Sequence, residues 1–358
     1  MKIFFIVSSL NAGGAERVIS LMANYWAGLN HNLSIMTISS DKTFYNIDPK
    51  INIIKLGLDR NPESIISGLK ANITRIKAIR REIISVKPDI VISFLTQTNI
   101  VTTIACKSLS IPVILSERNN PSKEDISTIW KIARYFTYRL SDLLVVQTKQ
   151  VQKFFKSYGV KIEIIPNPVR TINTIRIKKE KIILAAGRLT PQKGFDLLIK
   201  AFAKVSSKEW QLIILGDGPE RANLKKLISE KHLEKRVRMP GLVKDIDTFF
   251  SQASIFILSS RFEGFPNVLC EAMAAGLPCI SFKCDSGPSD IIEHNINGIL
   301  VKKENIRALS NAISDLTNNK DKRNALGKEA IKITSNLRIE KVVCQWENII
   351  LNITSQKE

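Results

Sequence analysis

Short apolar runs alternate with stretches in which apolar residues recur every three or four positions, almost throughout the chain. The run Ile-Ile-Leu-Ala-Ala at 182–186 is apolar at every position, which is typical of a strand buried on both faces of a parallel sheet. Ala15–Leu29 and Phe195–Val205 have the 3.6-residue spacing of amphipathic helices. This alternation predicts an α/β fold, in which helices cover both faces of parallel sheets.

The predicted strands fall into two series, separated by one irregular stretch. Residues 165–181 hold two prolines and then a polar, basic segment, which predicts a linker. We therefore expect two doubly wound, Rossmann-like domains, 1–170 and 171–336, that face each other across a cleft. In residues 337–358, the helix Ile339–Leu351 has no strand after it and is expected to cross back to the first domain. The predicted strands are Lys2–Val7, Leu33–Ile38, Ile51–Leu56, Asp89–Phe94, Val113–Leu115, Leu143–Gln147 and Ile162–Ile165, and then Lys181–Ala186, Trp210–Leu215, Val237–Met239, Ile255–Leu258 and Pro278–Phe282.

Composition supports a globular protein with two domains. The chain has 358 residues, of which 44% are hydrophobic and 24% are charged. No run of about 18 apolar residues is present, so no spanning helix is expected. The five cysteines form no CxxC pair and the three histidines lie far apart in sequence, so we expect reduced thiols and no metal site.

The charge balance favours an anionic partner. The formal net charge is +20; residues 1–170 carry 23 basic and 12 acidic side chains, and residues 171–358 carry 30 and 21. Because both halves are basic, the excess does not come from one tail. Such a field suits a nucleotide, a nucleic acid or anionic lipid, although it can also be a solubilising surface.

Two strand ends carry candidate donor-binding residues. Arg188 and Lys193 lie five positions apart in the loop after 182–186, where two cations would suit a diphosphate. After Ile255–Leu258 come Glu263, in the next loop, and Glu271, about one turn into a helix. Two such carboxylates could accept hydrogen bonds from sugar and ribose hydroxyls; alternatively, both are ordinary surface glutamates.

The helix start between these two glutamates is a candidate anion site. Pro266 is a favourable residue at a helix start, and the N–H groups of Asn267, Val268 and Leu269 are expected to point out of the helix end. Three glycine turns at other strand ends could also let backbone approach a ligand, or could be plain turns: Gly14, Gly216 and Gly241.

Four motifs together resemble the family-four retaining glycosyltransferases of the GT-B fold: GGAERV at 13–18, GRLTPQKG at 187–194, LGDGP at 215–219 and EGFPNVLCE at 263–271. The resemblance implies a nucleotide-sugar donor, most simply a UDP-sugar, held mainly by the second domain without a metal or other cofactor. It implies that Arg188 and Lys193 hold the diphosphate, that Glu263 holds the transferred sugar and that Glu271 holds the ribose. Further donor contacts are implied for Gly14, Gly264, Phe265, Pro266, Asn267, Val268 and Leu269.

The chain departs from this family at one position. Many members carry a first-domain histidine near the loop where this chain has Glu117, Arg118 and Asn119, and its three histidines, His31, His232 and His294, lie elsewhere. Retention is usually explained by front-side attack, in which the leaving diphosphate takes the acceptor proton. Catalysis would then rest on positioning and on stabilising phosphate charge, with Glu263, Arg188 and Lys193 as the catalytic group.

The acceptor is predicted to be a lipid-diphosphate-linked saccharide of a bacterial surface-glycan pathway. GGAERV and LSERNNP at 115–121, which includes Arg118, resemble members that extend such acceptors. The segment Glu63–Val86 is predicted as an amphipathic helix whose basic side meets anionic lipid or the acceptor diphosphate, unless it simply covers the sheet. We therefore expect a cytoplasmic, peripheral protein on the inner face of the plasma membrane. The basic residues concerned are Lys70, Arg75, Lys77, Arg80 and Arg81.

Three other functions are weighed against this one. A glycosidase would need two carboxyls across one bond and would leave the Arg188–Lys193 loop without a role. A sugar-nucleotide epimerase shares the GT-B architecture and is the main alternative. A nucleic-acid-binding protein is disfavoured, because the basic residues are dispersed and neither an RNP-like motif nor a zinc finger is present.

Overall fold

The computed structural model describes residues 1–59, 64–173 and 179–355. The chain divides into two compact units. Unit 1 comprises Met1–Pro168 together with Ile339–Glu358, and unit 2 comprises Val169–Arg338. The C-terminal segment thus belongs to the same unit as the N-terminal residues.

Unit 1 is built on a seven-stranded sheet in the order β3-β2-β1-β4-β5-β6-β7, in which every neighbouring pair is parallel. Helices cover both of its faces, so the central strands are buried along almost their whole length. The strands are β1 Lys2–Val7, β2 Asn32–Thr37, β3 Asn52–Lys55, β4 Ile90–Phe94, β5 Val113–Ser116, β6 Leu143–Val146 and β7 Ile162–Ile164. The helices are α1 Gly14–Gly28, α2 Ile65–Val86, α3 Thr96–Cys106, α4 Thr128–Tyr138, α5 Lys149–Phe155 and α14 Ile339–Thr354.

Helix α14 completes the core of unit 1. Its apolar side, including Val342, Trp346 and Ile350, packs into the same buried cluster as α1 and strands β1, β2 and β4. Trp26 of α1 donates a hydrogen bond from Nε1 to Glu347 Oε1 at 2.9 Å, which fixes the two helices side by side. The last segment of the chain is therefore a structural part of unit 1.

Unit 2 is built on a six-stranded parallel sheet in the order β10-β9-β8-β11-β12-β13. Two buried clusters lie on the two faces of this sheet. The strands are β8 Ile182–Ala186, β9 Gln211–Leu215, β10 Val237–Gly241, β11 Ile255–Leu258, β12 Cys279–Phe282 and β13 Ile299–Val301. The helices are α6 Phe195–Phe202, α7 Arg221–Glu230, α8 Asp247–Gln252, α9 Asn267–Ala274, α10 Pro288–Ile291, α11 Ile306–Asn318, α12 Lys320–Ala330 and α13 Thr334–Leu337.

The predicted α/β class with two doubly wound, Rossmann-like sheets is confirmed. Strand β13 was not predicted, because a three-residue run is too short to give a periodic signal. Of the predicted helix Glu63–Val86, Glu63 lies outside the described residues and Ser64 caps α2, accepting a hydrogen bond from the Ser67 amide. Residues 174–178 of the predicted linker also lie outside the described residues. Among the helices that the structure describes, none has the length and apolar character needed to cross a bilayer.

Each sheet has a topological switch point, where the strand order reverses: between β1 and β4 in unit 1, and between β8 and β11 in unit 2. Because all strands are parallel, the loops after these strands meet at the carboxyl edge of each sheet. Open α/β sheets bind ligands at such points. The fold thus directs attention to two loop pairs, one in each unit.

If α14 is part of the unit 1 core, shortening one of its buried side chains should destabilise the protein. Ile350 is fully buried, whereas the next residue, Leu351, is 59% exposed. We expect Ile350→Ala to lower the free energy of unfolding by about 2–5 kcal/mol, and Leu351→Ala to change it by less than about 0.5 kcal/mol. Urea unfolding followed by circular dichroism measures both. Equal effects of the two substitutions would mean that α14 does not pack as described.

Candidate functional site

The loops at the switch point of unit 2 carry the predicted donor residues. The loop after β8 spans residues 187–194 and contains Arg188 and Lys193, and the loop after β11 spans residues 259–266 and contains Glu263. The structure therefore brings these three residues to one edge of one sheet, although Lys193 and Glu263 are 70 positions apart in sequence.

The loop after β8 is folded tightly against the loop after β11. It contains a 3-10 turn, Pro191–Lys193, followed by Gly194. Gly194 has a φ of +62° and is the N-cap of α6. A Cβ atom at Gly194 would lie 2.1 Å from the carbonyl oxygen of Ser259. Only glycine combines this backbone conformation with so close an approach.

Hydrogen bonds hold the two loops together. The Arg261 amide donates to the Gln192 carbonyl at 2.7 Å, Gln192 Nε2 donates to the Phe262 carbonyl at 3.0 Å, and Ser259 Oγ donates to the Lys193 carbonyl at 2.9 Å. The Arg261 guanidinium also forms a bidentate pair with Asp196 at the start of α6, with both N–O distances 2.9 Å. This pair raises the pKa of Arg261. Burial alone would raise the pKa of Asp196, but the bonds and charge of Arg261 lower it. The network fixes the backbone from which Lys193 and Glu263 project.

Lys193 and Glu263 form an ion pair between these loops. Lys193 Nζ lies 2.6 Å from Glu263 Oε1, and Ser260 Oγ donates to the same carboxylate oxygen at 2.5 Å. Glu263 is only 5% exposed, so these two partners replace the water that its carboxylate would otherwise bind. Arg188, in contrast, is exposed and makes no ion pair within the residues that the structure describes. The edge therefore presents one restrained cation, one free cation and one oriented carboxylate.

The start of α9 offers fewer N–H groups than we predicted. The Asn267 amide donates to the Phe265 carbonyl at 3.1 Å, and the Leu269 amide donates to the Pro266 carbonyl at 3.0 Å, because the first turn closes tightly. Of the three predicted amides, only that of Val268 has no protein acceptor among the described residues. The backbone anion site is thus one amide rather than three.

Glu271 is buried and faces an arginine that sequence analysis placed in the linker. Arg170 Nε lies 3.9 Å from Glu271 Oε1, and the same guanidinium makes two hydrogen bonds to Asp247 on α8. Burial alone would lower the pKa of Arg170, but the bonds to Asp247 and the nearby carboxylates raise it. The Glu271 carboxylate therefore lies beside a guanidinium that Asp247 holds in place. The sequence signal for Arg170 was a cation two positions after Pro168.

Gly216 and Gly241 have a packing role at this edge. A Cβ atom at Gly216, where φ is +126°, would lie 2.0 Å from the Gly187 carbonyl oxygen. The Gly216 amide donates to the Gly241 carbonyl at 2.8 Å. The glycine after β9 thus lets the ends of β8, β9 and β10 meet closely, which supports the loop that carries Arg188.

The loop after β12 also belongs to the site, and sequence analysis missed it. Ser286 Oγ donates to the Glu263 carbonyl at 2.7 Å. A Cβ atom at Gly287, where φ is +83°, would lie 2.9 Å from both the Gly264 carbonyl oxygen and Pro266 Cδ. The signal was Ser-Gly-Pro-Ser at 286–289, shortly after a buried strand, which resembles an ordinary turn. This loop supports the backbone of Glu263 and of Gly264, Phe265 and Pro266 from the other side.

In unit 1, the glycine pair lies at the other switch point. Gly14 is the first residue of α1, directly after β1 and its loop, as the motif suggested. The carboxylate of Glu16 folds back over Gly13, where a Cβ atom would lie 2.0 Å from Glu16 Oε2. Tyr45 Oη donates to the Gly13 carbonyl at 3.1 Å. The turn is thus held in place by contacts from both sides.

Glu117 and Arg118 lie near the position of the family's histidine. Their side chains have different neighbours. Glu117 is completely buried, accepts a hydrogen bond from Tyr138 Oη, and lies 2.9 Å from Thr96 Oγ1. Burial and the charge of Glu124 raise the pKa of Glu117 to about 7. Arg118 is also buried, but its guanidinium donates to Asn167 Oδ1 and makes no contact with Glu117 among those described.

The basic residues of α2 are not equivalent. Arg75 donates from Nε to the Leu58 carbonyl at 2.8 Å, and Arg80 donates to the carbonyls of Ala105 and Lys107 at 2.9 and 2.7 Å. These two arginines therefore tie α2 to its own unit rather than standing free on a basic face. Arg81 pairs with Glu82 at 3.0 Å. Lys70 and Lys77 are exposed.

The edge of unit 2 has the chemistry of a site for a phosphorylated polyol. Arg188, Lys193 and the Val268 amide can bind anionic oxygens, and Glu263 and Glu271 can accept hydrogen bonds from hydroxyl groups. Among the described residues, no group of three or more His, Cys, Asp or Glu side chains is placed to hold a metal ion.

Two family models match the chain in succession. The model of Glycosyltransferase Family 4 matches residues 12–172, and that of Glycosyl transferases group 1 matches residues 171–333. Together they cover nearly all of both units.

Curated relatives match over the full length. An uncharacterized glycosyltransferase of Haemophilus influenzae is 29% identical over 353 residues, which is 97% of this chain and 99% of the relative. The GalNAc-alpha-(1->4)-GalNAc-alpha-(1->3)-diNAcBac-PP-undecaprenol alpha-1,4-N-acetyl-D-galactosaminyltransferase of Campylobacter jejuni is 27% identical over 360 residues, which is 99% of each protein.

Solved structures share the fold. Sucrose-phosphate synthase from Thermosynechococcus elongatus has a TM-score of 0.87 at 17% identity, covering 99% of this chain and 100% of that one. Anabaena Alr3699/HepE in complex with UDP has a TM-score of 0.79 at 19% identity, covering 98% and 100%. With its two successive domain models and its two doubly wound sheets, this chain belongs to the family-four glycosyltransferases of the GT-B fold.

Proposed function

We propose that this glycosyltransferase moves a hexose or N-acetylhexosamine, with retention of configuration, from a UDP-sugar to a lipid-diphosphate-linked saccharide. The proposed role is the biosynthesis of a bacterial surface glycan of the O-antigen, capsule or N-glycan type. The observation that carries the proposal is the Lys193–Glu263 pair beside the exposed Arg188 at the switch point of unit 2.

The donor half of the proposal assigns a task to each group. Arg188 and Lys193 hold the diphosphate, with the Val268 amide as a further donor of a hydrogen bond. Glu263 accepts hydrogen bonds from hydroxyls of the transferred sugar, and Glu271, held by Arg170, accepts them from the ribose. Gly14 of unit 1 stays a predicted donor contact. A UDP complex of the similar Anabaena structure supports a uridine nucleotide.

The proposed chemical step is a front-side displacement. The bond between the anomeric carbon and the diphosphate oxygen breaks, and the acceptor oxygen bonds to the same face of that carbon. The acceptor proton passes to the leaving diphosphate, whose developing charge Arg188 and Lys193 stabilise. Because these cations supply that stabilisation, we propose that the reaction needs no metal ion.

The acceptor half rests on the relatives. The printed name of the Campylobacter jejuni relative contains PP-undecaprenol, a lipid diphosphate, as the carrier of its saccharide acceptor. Another relative, from Erwinia amylovora, is named for amylovoran biosynthesis. A full-length match to the first of these supports an acceptor of the same chemical class for this chain.

We further propose that unit 1 binds the inner face of the plasma membrane from the cytoplasm, through a surface formed by α4 and the first half of α2. On α4, Ile129, Ile132 and Phe136 are exposed, and Leu140 is exposed just beyond its end. The guanidinium of Arg139, the residue after α4, lies over the rings of Tyr135 and Phe136. On α2, Ile66, Leu69 and Ile73 are exposed beside Lys70. Helix α3 packs against both helices. Exposed apolar side chains mixed with cations are typical of a surface that enters the interface of an anionic bilayer.

This surface revises the predicted lipid-binding set. Arg75 and Arg80 are engaged with backbone carbonyls, so Lys70, Lys77 and Arg139 are the better candidates for lipid headgroups. The exposed apolar side chains of α4 would insert into the bilayer interface, which electrostatic attraction alone does not achieve.

The function is tested by incubating the protein with radiolabelled UDP-sugars and a lipid-diphosphate-linked saccharide in the presence of EDTA. We expect label to enter the lipid with an α-linkage when the donor is an α-linked UDP-sugar, and the matched Glu263→Gln variant to transfer at least about a hundredfold more slowly. An epimerised UDP-sugar without transfer would favour the alternative enzyme class. Turnover that stops in EDTA and returns with Mn²⁺ would contradict metal independence.

Membrane binding is tested with vesicles of phosphatidylglycerol and phosphatidylethanolamine. Replacing Ile132 and Phe136 together by Glu should lower the sedimented fraction at least about tenfold, because two apolar side chains no longer insert. The control is Leu242→Glu in unit 2, because the Leu242 side chain is 58% exposed, the same fraction as Phe136. If both variants sediment like the wild type, the α4 face is not the membrane surface.

A further inference from the structure

Arg118 lies at the carboxyl edge of the unit 1 sheet, two residues beyond the end of β5. It is only 7% exposed. Its neighbours come from three places in the chain: Phe94 at the end of β4, Asn167 beyond the end of β7, and Trp346 on α14. The guanidinium carbon lies 5.0 Å from the ring centre of Phe94 and 5.8 Å from that of Trp346. The guanidinium is thus held between residues that lie far apart in the sequence of unit 1.

The polar contacts of this guanidinium are incomplete. One nitrogen, Nη1, donates to Asn167 Oδ1. In the part of the chain that the structure describes, Nε and Nη2 have no hydrogen-bond acceptor, and no carboxylate pairs with Arg118. The adjacent carboxylate of Glu117 is directed instead to Tyr138 and Thr96.

Such an arrangement is unfavourable for a purely structural arginine. A guanidinium stays charged, and a buried charge without a counter-ion costs free energy that packing does not return. Burial lowers the pKa of Arg118 to about 9, which reflects the same cost. Two other arginines of unit 1 are placed differently. Arg80 donates to two backbone carbonyls. Arg134 pairs with the carboxylate of Glu124 at 3.0 Å, although its Nε has no acceptor among the described residues.

The geometry points to Arg118 as the phosphate-binding group of a second anion site, located in unit 1. We propose that its clamped guanidinium binds a phosphate of the lipid-diphosphate-linked acceptor. Asn167, Phe94 and Trp346 position it, and its free donors supply the planar fork that matches phosphate oxygens. This inference rests on the proposed function in one respect: the acceptor is taken as the source of the phosphate. The shared chemistry, a diphosphate bound by a buried arginine, could also come from the nucleotide donor.

The site is tested with inorganic diphosphate by calorimetry and thermal shift, which need no sugar transfer. In Arg118→Met, a side chain of similar length without charge, we expect diphosphate binding at this site to weaken at least about tenfold. We also expect the melting temperature without diphosphate to stay unchanged or to rise, because an unpaired buried charge has been removed. Arg118→Lys keeps the charge but not the fork, and should retain the fold and lose most of the affinity. Lys161→Gln, which removes one exposed charge from the same unit, is the control.

Two further arms identify the source of the phosphate. If the acceptor supplies it, Arg118→Met should raise the KM for the lipid-linked acceptor and leave UDP affinity unchanged. If UDP affinity falls in parallel with diphosphate affinity, the donor supplies it. The proposal is overturned if both Arg118 variants bind diphosphate as the wild type does, or if Arg118→Met lowers the melting temperature while diphosphate affinity is unchanged. Failure of sugar transfer with diphosphate binding intact would count against the proposed function and not against this site.

Discussion

The ion pair between Lys193 and Glu263 is the constraint on which the carboxyl edge of the unit 2 sheet depends. Both charges are mostly removed from water, so each requires the other, and the pair forms only if the loops after β8 and β11 hold a fixed distance. Gly194, the Arg261–Asp196 pair and the backbone bonds of Gln192 secure that distance. An anion that binds Lys193 must share it with Glu263. Under the proposed assignment, this contact couples the binding of diphosphate at Lys193 to the orientation of the Glu263 carboxylate.

Unit 1 depends on a different constraint, the return of the chain through α14. This helix fills the core beside α1 and also supplies Trp346, which covers the guanidinium of Arg118. A segment distant in sequence thus decides both the stability of the unit and the position of its buried cation. Removing it would expose the apolar surface of α1 and release Arg118 together.

Sequence reasoning succeeded where the signal was local. Strands such as β8 are apolar at every position because helices cover both faces, and Arg188, Lys193 and Glu263 could be placed because they directly follow such strands. The pairing of Lys193 with Glu263 could not be predicted, since it arises from side chains on separate loops.

Elsewhere, competition from nearby backbone groups decided the outcome. The amides of Asn267 and Leu269 are used within the first turn of α9, and the arginines at 75 and 80 bind carbonyls of their own unit. Arg170 was hidden by its position after the linker prolines, although it faces Glu271. In each case an amino-acid pattern indicates which groups are available, while the folded backbone decides which of them stay free.

The most direct test of the account compares UDP with a UDP-hexose, by calorimetry, on the wild type and on two variants that remove either half of the ion pair. Lys193→Met should lower the affinity for both ligands by about tenfold or more, because a charge-assisted contact to the diphosphate is lost. Glu263→Gln should lower the affinity for the UDP-hexose alone. The affinity for UDP should stay the same or rise, since Lys193 no longer has a competing partner. A Glu263→Gln variant that loses UDP and UDP-hexose equally, or a Lys193→Met variant that binds UDP normally, would contradict the assignment of diphosphate to the lysine and sugar to the glutamate.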